Sequence, residues 1–224
     1  MKINNLESFI DHTVLSPDSK LADIEKACRE AEKHGFFGVC INPYFVRYVS
    51  KRFANYQDLK TISVIGFPLG ANLTQVKIEE TEYSLEYGAD EIDMVANISM
   101  IKDGDWNELK REIQQIATLT SSNNAQLKVI IETGYLIDEE KKEAAKTCLE
   151  AGANFIKTCT GFGPGQATPE DVSLLSSIVG NRLKVKASGK IRNYEQAAKL
   201  IQAGAARLGA SKSVQIIEEK NSHH

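Results

Sequence analysis

The sequence of 224 residues has little cysteine, no long apolar run and no excess of basic residues. Its four cysteines show no CxxC or metal-ligand spacing, which excludes a disulfide scaffold and indicates reduced thiols. No stretch approaches the roughly 18 to 20 apolar residues of a membrane span, and residues 1–15 lack the apolar core of a signal peptide. A net charge of -3 provides no basic surface for nucleic acid or for an anionic membrane. We therefore expect a cytoplasmic protein that holds any anionic ligand at a local site.

The composition is that of a globular protein, with 42% hydrophobic and 25% charged residues. The length suits one large domain or two small ones, but no linker or change in composition divides the chain. We expect one domain over residues 1–224, with residues 221–224 as a disordered tail. His223 and His224 are either native or the remainder of a purification tag, and we leave them out of the site.

Short apolar runs alternate with helical patterns along the whole chain. Trp106, Leu109, Ile113 and Ile116, for example, form an apolar stripe at helical spacing. The predicted strands are 10–15, 37–42, 61–67, 91–97, 127–133, 155–160, 183–188 and 207–210. Eight βα units predict a single (β/α)8 TIM barrel of the α/β class. An open doubly wound sheet is the alternative, although no GxGxxG follows the first strand.

Several predicted strands alternate charged with apolar residues, whereas parallel strands covered on both faces should be almost wholly apolar. The apolar set can pack on the outer helices, which sends the charged set into the barrel. Glu91, Lys128 and Lys184 stand at strand starts. We expect these three at the solvated bottom of the barrel.

Asp93, Glu132, Lys157 and Lys186 stand later in their strands, toward the face where barrel active sites form. A buried ion-pair network that holds the core is the alternative interpretation. Burial and a neighbouring ammonium group both favour a neutral, nucleophilic lysine, as Schiff-base chemistry requires. The pattern therefore suggests Lys157 as nucleophile, Lys186 as the neighbour that lowers its pKa, and Asp93 as proton relay.

Asp11 and His12 lie in the first predicted strand and are less specific. Asp11 is suited to orienting a substrate hydroxyl or a lysine. His12 is more often a structural histidine than a ligand or base. The glycine-rich segment 161–165 is not a phosphate-binding P-loop and is expected to be mobile.

Two segments after the last strands suggest a phosphate site. Residues 188–192 follow strand seven and residues 209–212 follow strand eight, the positions that often bind phosphate in barrels. Glycine allows close approach of the backbone, Ser211 can donate a hydrogen bond, and Lys190, Arg192 and Lys212 add positive charge.

Eight motifs in order resemble the 2-deoxyribose-5-phosphate aldolases, a family of class I Schiff-base aldolases, from about residue 10 to residue 214. They are IDHTVL at 10–15, GVCINP at 38–43, VIGFPLGA at 64–71, EIDMVANI at 91–98, LKVIIETG at 127–134, FIKTCTGF at 155–162, VKASGKIR at 185–192 and RLGASK at 207–212. The resemblance implies a (β/α)8 barrel with no metal or organic cofactor, which acts as a homodimer or a higher assembly. It implies reversible cleavage of 2-deoxy-D-ribose 5-phosphate to D-glyceraldehyde 3-phosphate and acetaldehyde.

The resemblance also implies roles by motif position. Lys157 would form the Schiff base, Lys186 would tune it, and Asp93 would donate and accept protons. The implied substrate-binding residues are Asp11 and Thr160, which also help place the relay, with Gly189, Gly209 and Ser211 at the phosphate.

Three positions depart from the family pattern. Cys159 and Lys212 stand where serine is usual, and Lys190 stands where glycine is usual. Cys159 is close to isosteric with serine, so we expect little loss there. Lys190 either strengthens phosphate binding by its charge or crowds it, and Lys212 exchanges a hydroxyl for a charge.

Two other functions remain open on the same barrel. A phosphosugar isomerase or epimerase would need a carboxylate base and no imine. A non-catalytic sugar-phosphate binder would use Lys157 and Lys186 only as charges. The two strand lysines beside Asp93 favour the aldolase.

Overall fold

A closed barrel of eight parallel strands forms the centre of the computed structural model, which describes residues 3–56 and 58–222. The strands are β1 Ile10–Val14, β2 Gly38–Ile41, β3 Lys60–Ile65, β4 Glu91–Val95, β5 Gln126–Ile130, β6 Phe155–Lys157, β7 Lys184–Ser188 and β8 Ala205–Ala210. Each strand pairs with the next in chain order, and β8 pairs with β1. The predicted (β/α)8 barrel is confirmed, and the open doubly wound sheet is wrong.

Helices separate the strands and cover the outside of the barrel. In the described part of the chain they are α1 Leu21–His34, α2 Val46–Phe53, α3 Thr74–Glu86, α4 Ile98–Asp103, α5 Trp106–Ser122, α6 Asp138–Glu150, α7 Pro169–Val179, α8 Tyr194–Gln202 and α9 Ser213–Ser222. The helix α9 extends to Ser222, within the predicted tail of residues 221–224, and His223 and His224 lie outside the described residues. None of the helices between residues 3 and 222 is long and apolar enough to cross a bilayer.

Local sequence signals account for several helix starts. The Thr168 hydroxyl accepts a hydrogen bond from Asp171 N at 3.1 Å, and Pro169 occupies the first turn, as the sequence predicts for α7. The Asn193 side chain accepts one from Gln196 N at 2.9 Å and begins α8. These caps fix where the chain leaves the loops on the carboxyl side of the barrel.

The strands alternate between the interior of the barrel and the helices outside. On β4, Ile92 and Met94 join the main apolar core between strands and helices, while Glu91 and Asp93 face inward. A separate small cluster consists of Leu15, Cys40, Ile62 and Val64. The buried charges therefore share the barrel with an apolar cluster near β2 and β3.

The predicted strands five and six extend past the observed ones. The prediction was 127–133 and 155–160, whereas β5 ends at Ile130 and β6 at Lys157. At Glu132 the backbone turns to φ 51°, which is incompatible with a strand. The extra residues form loops at the carboxyl face, so Glu132 and Thr160 belong to the rim of the site and not to the sheet.

Candidate active site

Six charged side chains of alternating sign close a ring inside the barrel. They come from β1, β4, β5, β7 and β8, and every one of them is less than a tenth exposed. In order around the ring they are Asp93, Lys128, Glu91, Arg207, Asp11 and Lys186, which returns to Asp93.

One side of the ring is held by Lys128 and Arg207. The Lys128 Nζ lies 2.7 Å from Asp93 Oδ1 and 2.6 Å from Glu91 Oε2. The Arg207 Nη1 lies 3.1 Å from Glu91 Oε2 and 2.9 Å from Asp11 Oδ1. Each cation is therefore bracketed by two carboxylates, as burial of a charge requires.

The other side of the ring is held by Lys186. Its Nζ donates to Asp11 Oδ2 and lies 2.7 Å from Asp93 Oδ2. Asp11 thus lies against a lysine, one of the two roles that the sequence suggests for it, and its fully buried side chain does not reach the cavity described below.

Lys157 lies outside the ring and contacts it through Asp93. Its Nζ donates to Asp93 Oδ2 at 2.7 Å, the same oxygen that accepts from Lys186. The structure therefore brings together the three residues predicted to be catalytic. Lys157 also lines a cavity open to solvent, whereas Lys128 and Lys186 are fully buried.

The ring shifts the pKa values of its members. Burial alone would raise the pKa of the Asp93 carboxyl, but three lysine ammonium groups, that of Lys128 foremost, hold it well below its ordinary 3.8. Burial opposes the charge on Lys186, yet the carboxylates of Asp11 and Asp93 raise the pKa of its ammonium group above the ordinary 10.5. Asp93 is thus a carboxylate and Lys186 an ammonium at neutral pH.

The expectation of solvated strand starts is wrong for two of its three residues. Glu91 and Lys128 are buried in the ring, while Lys184 is exposed as predicted. Sequence reasoning did not single out Arg207 as an interior charge. The available signal was an arginine inside the short apolar run of β8, where an unpaired charge would be costly.

The cavity at the carboxyl face has a volume of about 560 Å³ and includes both segments predicted to bind phosphate. Lys157 and Thr160 line its floor and wall. The phosphate-site candidates that line it are Gly189, Lys190, Arg192, Gly209, Ser211 and Lys212. Three cations thus surround a cavity that has Lys157 at its base.

Two glycines in this cavity have a structural reason to be glycine. A Cβ at Gly209 would lie 2.9 Å from Ser188 Cβ and 3.2 Å from Lys186 Cε. Gly189 has φ 106°, and a Cβ there would lie 2.9 Å from Cys159 Cβ. Lys190 follows with φ 58°, a left-handed conformation that favours the glycine usual in the family.

The Thr160 hydroxyl is engaged by the protein. It donates to Glu132 Oε2 and accepts from Phe162 N at 3.0 Å and from Gly163 N at 3.2 Å. The same Glu132 oxygen accepts from Thr160 N at 2.9 Å. Glu132, one of the charged residues that the strand pattern highlights, therefore fastens the loop after β6.

His12 lies on the outer face of β1, away from the cavity. Its Nε2 lies 2.9 Å from Glu30 Oε2, and its ring packs 5.3 Å from the ring of Phe36. Burial lowers the pKa of the imidazole despite the nearby Glu30 carboxylate. His12 is thus a structural residue. Over residues 3–56 and 58–222, no three His, Cys, Asp or Glu side chains group in a way that would hold a metal ion.

Known proteins share this architecture. A family model described as DeoC/LacD family aldolase matches residues 7–212. A relative from Thermococcus gammatolerans, named deoxyribose-phosphate aldolase, is 50% identical over 218 residues and 96% of each chain. A relative of the same name from Clostridium tetani is 46% identical over 214 residues, 96% of this chain and 98% of that one.

Solved structures of aldolases also superimpose closely on this chain. The aldolase QR15 superimposes with a TM-score of 0.93 at 41% identity, over 99% of this chain and 98% of that one. A deoxyribose phosphate aldolase from Aeropyrum pernix, described as tetrameric, gives a TM-score of 0.90 at 33% identity, over 98% and 92%. With a family match over most of its length and relatives about half identical to it, the chain belongs to the DeoC/LacD family of aldolases.

Proposed function

We propose that this aldolase reversibly cleaves 2-deoxy-D-ribose 5-phosphate to D-glyceraldehyde 3-phosphate and acetaldehyde through a Schiff base on Lys157. The observation that carries the proposal is the position of Lys157, which lies beside a closed ring of charges at the base of a cationic cavity. The substrate is supported by the relatives, which are named deoxyribose-phosphate aldolases.

The charge balance of the interior suits a reactive amine at Lys157. The ring contains three carboxylates and three cations, so it is neutral without Lys157. Loss of the Lys157 proton therefore leaves the interior balanced. When the nitrogen later becomes an iminium, its positive charge again faces Asp93 Oδ2.

The reaction balances with Lys157 as the only group that forms a covalent bond. The Nζ attacks C1 of the open-chain sugar, and loss of water gives the iminium. The C3 hydroxyl loses its proton, the C2–C3 bond breaks, and its electron pair moves through the new C1–C2 double bond to the nitrogen. Glyceraldehyde 3-phosphate leaves, C2 of the enamine takes up a proton, and hydrolysis releases acetaldehyde and the free amine.

Asp93 and Lys186 are placed to manage the protons of this sequence. Asp93 Oδ2 accepts hydrogen bonds from Lys157 and Lys186 together, which gives a proton a short path between the two amines. Lys186 remains an ammonium because Asp11 also holds it. We assign Asp93 and Lys186 to proton transfer and to electrostatic stabilisation of the iminium.

The phosphate is assigned to the far end of the same cavity. Gly189, Gly209 and Ser211 all line this cavity. Lys190, Arg192 and Lys212 contribute charge at the same cavity. In this proposal the phosphate and the reactive amine engage opposite ends of one substrate.

Covalent trapping tests the proposal. Acetaldehyde with borohydride should leave an ethyl adduct on Lys157 that intact mass and peptide mapping detect. Lys157→Ala should abolish the adduct and the release of glyceraldehyde 3-phosphate in a coupled assay, and the exposed Lys184→Ala should retain both. An isomerase or epimerase would give no adduct. A non-catalytic binder would be stabilised by the sugar phosphate without releasing an aldehyde.

We also propose a homodimer, which pairs through the outer face of α2 and α3. Three large apolar side chains are exposed on these helices or just before them, Tyr44 by 88%, Leu73 by 77% and Tyr83 by 60%. The exposed charges are basic on α2 and acidic on α3: Arg47 and Lys51 against Glu79, Glu82 and Glu86. A two-fold axis therefore sets α2 of one copy against α3 of the other with opposite charges facing.

Sedimentation tests this interface. Tyr83→Glu should convert a dimer to a monomer, and Ile137→Glu, at an exposed residue before α6, should not. A wild-type protein that sediments as a monomer would overturn the proposal. A cytoplasmic location is proposed as well, and it is supported by four cysteines that are all free and buried.

A further inference from the structure

Glu132 is a buried acidic residue that the proposed chemistry does not use. Only 2% of it is exposed, and its backbone has φ 51° and ψ 70°. Its Oε1 is buried with no hydrogen-bond partner within the part of the chain that the structure describes. A left-handed non-glycine residue and an unpartnered buried oxygen both cost stability, and such features concentrate at functional sites.

The other carboxyl oxygen of Glu132, Oε2, accepts hydrogen bonds from two groups of Thr160, the backbone N at 2.9 Å and the hydroxyl. Because the hydroxyl has a single proton and donates it to Glu132, it has none left for a substrate. Its lone pairs accept from Phe162 N and Gly163 N. Thr160 therefore serves as the link between Glu132 and the next three residues.

The loop of residues 160–163 also rests directly on the Glu132 carboxyl. A Cβ at Gly163 would lie 2.6 Å from Glu132 Cδ, so any larger residue there would displace the Glu132 carboxyl. The loop then runs beside the phosphate end of the cavity. A Cβ at Gly161 would lie 3.9 Å from Gly189 Cα, and Ala167 N donates to Gly189 O at 3.0 Å.

We infer that Glu132 is a positioning residue that acts through Thr160 to set the 160–163 loop against the phosphate segment, and so favours phosphorylated over unphosphorylated substrate. The inference rests on the proposed aldolase function. It predicts a defect that depends on the phosphate, because the loop borders Gly189 and not the buried charges around Asp93.

The experiment compares kcat/KM for 2-deoxyribose 5-phosphate with that for 2-deoxyribose. Glu132→Ala should raise KM for the phosphorylated sugar at least tenfold, change its kcat less than threefold, and lower the ratio of the two kcat/KM values by a similar factor. Glu132→Gln should restore most of the ratio, because the amide oxygen can accept from both Thr160 groups. Thr160→Val should act like Glu132→Ala, and the double variant should be no worse than either single one.

A matched control is Glu112→Ala, which removes a buried carboxylate that pairs with Lys77 on the outer side of the barrel, 2.8 Å away. It should lower the melting temperature and leave the substrate ratio unchanged. If Glu132→Ala does not accumulate as folded protein, Thr160→Val tests the same link by itself.

Three results would overturn the inference. The first is an equal loss of kcat/KM on both sugars in Glu132→Ala. The second is a Glu132→Gln variant as impaired as Glu132→Ala. The third is that the effects of Glu132→Ala and Thr160→Val add in the double variant. Borohydride trapping of the wild type with acetaldehyde separates these failures from failure of the proposed function. A wild type without the Lys157 adduct removes both proposals, whereas an adduct with an unchanged substrate ratio removes only the role of Glu132.

Discussion

Lys128→Met tests whether the ring of buried charges holds the barrel together. The substitution keeps an unbranched side chain of similar length and removes the ammonium group. Asp93 and Glu91 would then each lose a cation that lies within 2.7 Å and 2.6 Å of them. Both carboxylates would stay buried, and the ring would be open with one negative charge in excess.

The expected loss of stability is large. Removing one partner of a buried ion pair costs about 3–5 kcal/mol, because the remaining charge stays desolvated. The accompanying change of shape adds less than about 1.5 kcal/mol. For a chain of this length about 1 kcal/mol corresponds to about 2–4 °C, so the melting temperature should fall by about 6 to 26 °C.

Lys184→Met is the matched control. Lys184 also lies over the ring of Phe155, 5.4 Å from its centroid against 5.9 Å for Lys128, but its side chain is exposed and outside the ring of charges. It should cost no more than about 1 kcal/mol, the upper end for an exposed cation–π contact. Urea unfolding followed by circular dichroism and thermal scans measures both variants. Equal losses in the two would refute the reasoning.

Three further predictions concern pH, the phosphate segment and the thiols. Because Asp93 has a pKa below 3.8 and Lys186 one above 10.5, their contribution to stability is complete between these values. Urea unfolding at several pH values should show this stability lost as pH falls below 3.8 or rises above 10.5. A steady decline in stability between pH 5 and 9 would contradict this. Lys190→Gly should change stability by less than about 1 kcal/mol, because relief of φ 58° offsets the entropy of glycine. It should raise KM for the phosphorylated sugar severalfold at low salt and less at high salt, and an unchanged KM would show that this charge does not reach the phosphate. Burial raises the pKa of Cys40 and Cys159 to about 11, so iodoacetamide at pH 8 should leave acetaldehyde trapping intact, and rapid loss of trapping would contradict it.

The period of two in the strands predicted much of the site. Alternation at 91–94 assigns Asp93 to the interior and Ile92 to the helices, and the same holds for Lys157 and Lys186. Position along each strand then indicated the end where active sites form in barrels. In the structure, Lys157 and Lys186 both contact Asp93 inside the barrel.

Local sequence could not predict that Lys128 is buried and Lys184 exposed, because both stand in the tripeptide Leu-Lys-Val. The hydrogen-bond register joins each of them to Phe155, yet one is buried and the other exposed. In a barrel of eight strands with a shear of about eight, each step around the sheet shifts by about one residue along the axis. Lys184, two strands farther on, therefore emerges at the bottom rim, a consequence of closure that no local pattern contains.

Local sequence also could not predict which charged side chains pair in the ring. Arg207 and Asp11 are 196 residues apart in the chain, and they meet only because β8 closes on β1. The strand pattern indicates that charges face inward, but it does not say which of them meet. The alternative of a buried ion-pair network describes what surrounds Lys157, so the network and the proposed active site are parts of one arrangement.

That arrangement explains why one of the three lysines buried inside the barrel is suited to the proposed covalent chemistry. Lys128 and Lys186 each bridge two carboxylates, so a covalent change at either nitrogen would open the ring. Lys157 contacts a single carboxylate oxygen of Asp93, and that oxygen keeps its bond to Lys186 whatever happens at Lys157. In the proposed mechanism the amine would therefore become an iminium and return while the surrounding charges stay in place. A site whose dipoles and charges need not move during the reaction avoids the reorganisation that water would require.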